Sequence, residues 1–365
     1  MTTTNYAVAP GAYLEEWIDD AELSQRQVAA MLGVSRKHVN EIVNGHATLS
    51  PDVAVKLARV TGIPAEAWLR YEALYRADVA RIADEQALAQ NVERIHPAAA
   101  TYLRKIGATR ATKRDAGQLV SDFLAFHRCG SWESYEALHE AETSGEFALA
   151  ALTESRSVVD TTLLTTWLRA GELTEAYERG RALAFDPACL EAALPALRER
   201  ASQPDRTMIG DLSALLADAG VVWLWVEAPA NLPLFGITRW IDTKVPVIQQ
   251  SGRRGKDGFV IWTLFHEIGH VLNDPRGSMH LEYTTEKKRS GAAEKAANEF
   301  AFVQLFGRDG LDTLTGLRSD HEIVRAARHL GLSPGVVVHQ LHRRRMLDYA
   351  YGNGLSVDLG AEFSV

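Results

Sequence analysis

The chain has 365 residues, 46% hydrophobic and 24% charged, a globular balance with room for two or three domains. Its net charge of −8 argues against a chain devoted to coating nucleic acid but leaves room for one DNA-reading surface. Two cysteines, Cys129 and Cys189, form no CxxC pair or disulfide framework, the N-terminus has no signal-peptide pattern, and the most apolar run, Val221 to Val226, is far too short to span a bilayer; a reducing cytoplasm without a membrane partner is expected.

Residues 12 to about 80 read as five short helices. Tyr13, Leu14, Trp17 and Ile18, then Val28, Ala29 and Leu32, recur at helical spacing. Ser24 followed by Gln27 is a capping box. Gly33 ends that helix and Ser35 caps the next, which places Val39, Ile42 and Val43 inward and Arg36, Lys37, Asn40 and Asn44 outward. Up to residue 80 there are seven Lys+Arg against ten Asp+Glu, yet between Leu23 and Asn40 three residues are basic and none acidic. Arg and Asn suit bidentate contacts with guanine and adenine, while Ser24 and Gln25 at a helix N-terminus suit a phosphate. The competing reading is a five-helix domain that binds protein. The segments Ser24-Gln25, Leu32-Gly33-Val34-Ser35-Arg36 and Asn40-Glu41-Ile42-Val43-Asn44-Gly45 resemble the XRE-type helix-turn-helix domain of HigA-like antitoxins, over Gly11 to about Tyr75. The resemblance implies a homodimeric repressor of its own promoter. It departs at His46-Ala47-Thr48, where the family commonly has a basic residue.

Residues 81 to about 205 are rich in Ala, Leu, Glu and Arg, with a break at Cys129-Gly130-Ser131 and a restart at Asp186-Pro187. They carry no chemistry-bearing motif and read as a helical connector.

From about 206 the pattern changes. Ile209 to Leu216 reads as a helix; Val221 to Val226, Gly236 to Ile241 and Val245 to Gln249 read as strands. Then comes His266-Glu267-Ile268-Gly269-His270 in an apolar helical setting. Histidines four apart share a helix face and hold one Zn²⁺, while the adjacent Glu267 serves as general base. A His pair needs a third ligand. Glu294, in the next predicted helix (290 to 306), is the candidate; Asn298 one turn on can hydrogen-bond a ligand histidine from outside. Glu299 competes but lies off the face set by Glu294 and Asn298. A structural zinc would want a fourth ligand, usually Cys, and neither cysteine is near. Donors for a developing oxyanion are sought among Tyr283, His280, His321 and Arg325. Residues 326–341 echo the spacing of the N-terminal motif, but Pro334-Gly335-Val336-Val337-Val338 offers no base-reading side chain, so a supporting helical pair is expected.

The stretches Leu216 to Val221, Pro246-Val247-Ile248, Thr263 to His270, and Glu294 with Asn298, Phe300 and Ala301 resemble the ImmA/IrrE metallopeptidases over about residues 206–310. These are small gluzincin proteases, several of which cleave helix-turn-helix repressors. The resemblance implies His266, His270 and Glu294 as zinc ligands and Glu267 as catalytic base. Asn273-Asp274 follows the motif where the family often has Leu-His, a difference expected to alter the helix end and not the chemistry.

The expected fold is mainly α with a small β-sheet. It comprises a five-helix DNA-binding domain (1–80), a helical connector (81–205), a gluzincin-like α+β metallopeptidase domain (206–310) and a C-terminal helical extension (311–365). The expected activity is DNA-binding regulation with zinc-dependent cleavage of one protein: a repressor, a toxin or the chain itself. The alternative is an antitoxin-like or sensor repressor whose zinc domain binds without cleaving. One zinc per chain, operator DNA and a homodimer are the expected partners. Val245 to Gln250 is the expected sheet edge for an extended substrate, and Cys129 to Glu133 an expected loop for self-cleavage.

Overall fold

The computed structural model describes residues 6–142, 160–283 and 291–359. The chain divides into two compact units: Met1–Val92 with Ala111–Ser121, and Glu93–Arg110 with Asp122–Val365.

The first unit opens with α1 (Pro10–Asp20), α2 (Gln25–Leu32), α3 (Arg36–Val43), α4 (Pro51–Thr61) and α5 (Ala65–Leu88). The fifth is not short: it runs 24 residues. The helix ends follow the local chemistry. Ser24 and Gln27 form the expected capping box, and Gly33 takes the left-handed conformation (φ 65°) that lets α2 stop and the chain turn into α3. Leu14, Val28, Ala29, Leu32, Val39, Ile42, Leu57 and Trp68 fill the core. Gly11 is required by proximity, since a Cβ there would stand 2.2 Å from the Ile42 carbonyl oxygen; α1 and α3 therefore pack backbone to backbone.

The second unit holds α6 (Pro97–Lys105), α8 (Trp132–Glu142), α9 (Thr161–Glu172), α10 (Glu175–Gly180), α11 (Pro187–Ala201) and α12 (Met208–Asp218); α7 (Ala116–Phe126) runs across the boundary between the two contact groups. Next come β1 (Val222–Trp225), β2 (Leu234–Ile241), β3 (Val245–Gln250), the motif helix α13 (Asp257–Asn273), β4 (His280–Tyr283), α14 (Ala292–Phe306), α15 (Gly310–Leu314), α16 (Asp320–Leu330) and α17 (Pro334–Arg343). The strands form one sheet in the order β1-β3-β2-β4. β3 runs parallel to β1 and antiparallel to β2, and β4 is antiparallel to β2.

Two expectations are corrected here. Val245 to Gln250 is not an edge, because β3 is hydrogen-bonded on both sides; among the described residues the edges are β1 and β4. The strand missed in the sequence, β4, is four residues long, too short to show a period. Cys129 to Glu133 is not an extended loop either: α8 starts at Trp132, whose side chain is buried, and the Ser131 hydroxyl caps that helix at Ser134.

α13 is apolar nearly all round because it is covered on several sides. Phe265 and Ile268 are fully buried, each contributing about 1.5–3 kcal/mol. Gly269 permits a close crossing: a Cβ there would meet the Ala297 Cα of α14 at 3.1 Å. At its N-terminal end α13 meets α17 through two more glycines, Gly258 facing the Gly335 carbonyl. Asp257 secures this crossing. Its buried carboxylate accepts the Ser333 hydroxyl (2.6 Å) and the Val357 N–H (2.9 Å); burial raises its pKa against those bonds.

α16 and α17 repeat the turn of the N-terminal pair. Gly331 adopts φ 62°, ψ 44° against 65°, 39° at Gly33, and Ser333 caps as Ser35 does. Yet Gly335 through His342 are buried, so α17 packs against the motif helix instead of presenting a reading face.

Candidate functional site

α13 delivers His266, Glu267 and His270 to one buried spot, and α14 delivers Glu294 beside it. His266 Nε2 lies 3.2 Å from His270 Nε2; Glu294 reaches His266 Nε2 at 3.5 Å and His270 Nε2 at 3.3 Å. Donors bound 2.0–2.1 Å from one tetrahedral ion stand about 3.3 Å apart, so the three side chains already have the spacing of a zinc ligand set. The tautomers agree. His266 Nδ1 donates to Asn298 Oδ1 at 3.1 Å and His270 Nδ1 to Asp274 Oδ2 at 2.6 Å, which leaves both Nε2 lone pairs facing each other. Nitrogens at that distance need a proton or a metal ion between them. Glu294 Oε2 is buried and accepts no hydrogen bond. The residues present therefore fit a divalent metal.

The electrostatics point the same way. Burial disfavours a charged His270, but the Asp274 and Glu294 hydrogen bonds and the nearby Glu267 carboxylate outweigh it and raise its pKa to about 10. The surroundings thus stabilise positive charge there, and a metal would displace that proton. Burial would raise Asp274, but the His270 hydrogen bond and the surrounding imidazoles hold it below the usual carboxylate range. His280 stacks on the His270 ring at 4.1 Å, with Nε2 3.2 Å from Asp274 Oδ2; burial and the His270 charge lower its pKa to about 4.

Glu267 is set by β2. The Thr238 hydroxyl donates to Glu267 Oε2 at 2.6 Å. Gly236, one side-chain step along the same face, leaves the carboxylate its space: a Cβ there would stand 2.9 Å from Glu267 Oε1.

The structure brings together His266, Glu267, His270, Glu294 and Asn298, and leaves Glu299 exposed on the other side of Asn298. Of the oxyanion candidates, His280 lies against the ligands, Tyr283 ends β4, and His321 and Arg325 are exposed on α16. The expectation that Asn273-Asp274 leaves the chemistry untouched is revised, because Asp274 orients the His270 ring. Its position four residues after His270 was the available signal. Thr238, Gly236 and Arg343, which donates to Asn298 Oδ1, had no signal in sequence, since each reaches the centre from another element.

The second surface lies in the N-terminal unit. Arg36, Lys37 and Asn40 are exposed on α3, Asn44 is exposed at its C-terminal cap, and Gln25 on α2 is half-buried. Asn40 Nδ2 approaches Gln25 Oε1 at 3.5 Å, joining α2 to α3. Asn44 folds back onto the Asn40 carbonyl at 2.7 Å, and Lys37 pairs with Glu41 at 3.7 Å. The Ser24 hydroxyl donates to the Gln27 side chain, and the Ser35 hydroxyl accepts the His38 N–H.

Comparison with known proteins divides along the same lines. Residues 14–68 match the helix-turn-helix family. Residues 260–342 match the Peptidase M78 family, described as an IrrE N-terminal-like domain; that match takes in His266, Glu267, His270 and Glu294. Virulence-associated protein I of Dichelobacter nodosus is 36% identical over 70 residues, 19% of this chain and 65% of that protein. The uncharacterized HTH-type transcriptional regulator YddM of Escherichia coli (strain K12) is 29% identical over 63 residues, 17% of this chain and 67% of that protein. The chain thus spans about two thirds of the length of these relatives. No solved structure matches. Among the described residues no helix is long and apolar enough to cross a membrane.

Proposed function

We propose, from the premise that this chain joins a helix-turn-helix domain to an IrrE N-terminal-like peptidase domain, that it is a DNA-binding transcription regulator with an intrinsic zinc-dependent peptidase acting on one protein. The observation that carries the reading is the convergence of His266, His270 and Glu294 around a single point, with Glu267 held beside it by Thr238. Three protein ligands leave a fourth position open, which separates catalytic from structural zinc. Zinc held there would supply Lewis acidity to a water and a peptide carbonyl. Glu267 takes a proton from the attacking water and passes it to the departing amine. Asn298 and Asp274 keep both imidazoles turned to the metal.

β4 is the edge for an extended substrate segment. It pairs with β2 on one side only among the described residues, and its first residue, His280, lies against His270. A folded helix-turn-helix domain cannot offer such a strand without opening, so general proteolysis is weak and cleavage falls in an extended stretch of one partner, a separate repressor or toxin, or of this chain. The N-terminal domain reads a two-fold operator as a homodimer, with Arg36 and Asn40 at base edges and Gln25, Ser35 and Lys37 on phosphates.

The purified chain should hold about one zinc. His266→Ala and His270→Ala should lose it and Glu267→Gln should keep it. Incubating the intact chain with Zn²⁺ and with a co-encoded repressor should then give fragments in the parent and none in Glu267→Gln. Zinc retained in both histidine variants, or identical fragments in parent and Glu267→Gln, would sink the proposal.

A further inference from the structure

Asn298, whose carbonyl oxygen faces His266, also lines a cavity of about 910 Å³ on the α14–α17 side of the metal centre. That volume suits a small molecule and far exceeds a lone inorganic ion. Three arginines line it, Arg308, Arg343 and Arg344, against one carboxylate, Glu299. The Arg343 guanidinium lies over the Trp262 ring at 4.7 Å and that of Arg344 over Phe302 at 4.3 Å. Stacking of this kind holds the planar donor fork in the geometry that grips an oxyanion. Burial disfavours the charge of Arg344, a penalty that a bound anion relieves.

Gln340 supplies the second, independent observation. Its side chain lines the same cavity, is 1% exposed, and has neither its amide nitrogen nor its amide oxygen hydrogen-bonded. A buried amide with both groups unpaired calls for a partner.

We infer that this cavity is a binding site for a small organic oxyanion, a carboxylate or phosphate, gripped by Arg308, Arg343 and Arg344 and hydrogen-bonded by Gln340, with an apolar body against Phe302. Arg343 gives the site a consequence. Its guanidinium donates to Asn298 Oδ1, the same atom that accepts from His266 Nδ1. A ligand that engages Arg343 competes for that donor and changes how firmly His266 is oriented. The anion and the metal therefore alter each other's affinity by the same factor; this coupling, unlike the site itself, rests on the metal reading above.

Benzoate and phenyl phosphate share a body and differ in head group, which makes them the probes. Isothermal titration of the full-length chain at low salt should show saturable binding of one or both, one per chain, at millimolar affinity or tighter. Benzoate alone identifies a carboxylate site and phenyl phosphate alone a phosphate site. Gln340→Leu and Arg308→Ala should each weaken binding at least tenfold; Arg308 is exposed, so its replacement leaves the core intact. No saturable binding of either probe, or parental affinity in both variants, overturns the site. Zinc affinity, read by competition with a chelator, should shift at least threefold when the probe saturates, and in Gln340→Leu the same shift should need at least tenfold more probe. An unchanged zinc affinity overturns the coupling alone. A chain that binds a probe but no zinc faults the metal reading and leaves the cavity site standing.

Discussion

At the scale of single residues, the centre is specified by which side chain orients which. Thr238 is fully buried and its hydroxyl ends on Glu267, so its role is to aim the carboxylate and not to hold metal. Thr238→Val should leave zinc content unchanged and lower kcat about tenfold, on the order of 1.4 kcal/mol, with little change in KM. Loss of zinc in this variant, or an unchanged kcat, would refute that division of labour. At the DNA face, Arg36→Ala and Asn40→Ala should relax base preference at single operator positions, each costing about 1–3 kcal/mol for the preferred base. Gln25→Ala should weaken all sequences evenly. Binding assays on an operator with single base changes separate the two patterns, and even weakening by all three variants would mean that α3 does not read bases.

At the scale of elements, what matters is how closely α13 and α14 approach. The histidines sit on one helix and Glu294 on the other, so the three candidate ligands lie together only while the crossing at Gly269 stays tight. Gly269→Val puts branched carbon against the Ala297 backbone. It should cost about 1–3 kcal/mol of stability and weaken zinc binding at least tenfold, measured by chelator competition, though it removes no ligand. Full zinc affinity in that variant would show that Glu294 reaches the metal by some route other than this crossing. The same scale explains the two similar helix pairs. α2–α3 and α16–α17 share a turn, yet α3 carries exposed Arg36, Lys37 and Asn40 where α17 carries buried Val336, Val337 and Val338.

At the scale of the whole molecule, stability against acid should track a residue far from the metal. His127 is buried among Phe123, Phe126 and Tyr135, and burial, then the His139 and Arg169 charges, lower its pKa to about 3. Its unfolded value is near 6.5. Below that pH the unfolded chain takes up a proton that the folded one refuses, so stability falls as pH drops through 6.5 and goes on falling towards 3. From pH 7 to pH 5 this one group should cost about 2 kcal/mol. His127→Gln, compared with the parent by chemical denaturation at both pH values, should show a smaller difference between them; an equal difference would place the acid sensitivity elsewhere.

Much of this was legible without coordinates, for a physical reason. Helix caps, the Gly33 turn, the outward set on α3 and the pair His266 and His270 are all set within one turn or one helix, where spacing alone determines which side chains share a face. Glu294 and Asn298 sit one turn apart, so helical phase alone predicts that they share a face from which Glu299 is turned away. The tertiary structure decided whatever depends on two elements meeting. It placed β3 inside the sheet and left β4 as the edge, because pairing order is set by crossovers that no local pattern records. It brought Thr238 and Gly236 from β2 to Glu267 and turned Asp274 from a helix-end residue into the partner of His270. It also carried Arg343 from α17 to Asn298, 45 residues earlier in the chain, a contact made as α17 packs its buried face against α13.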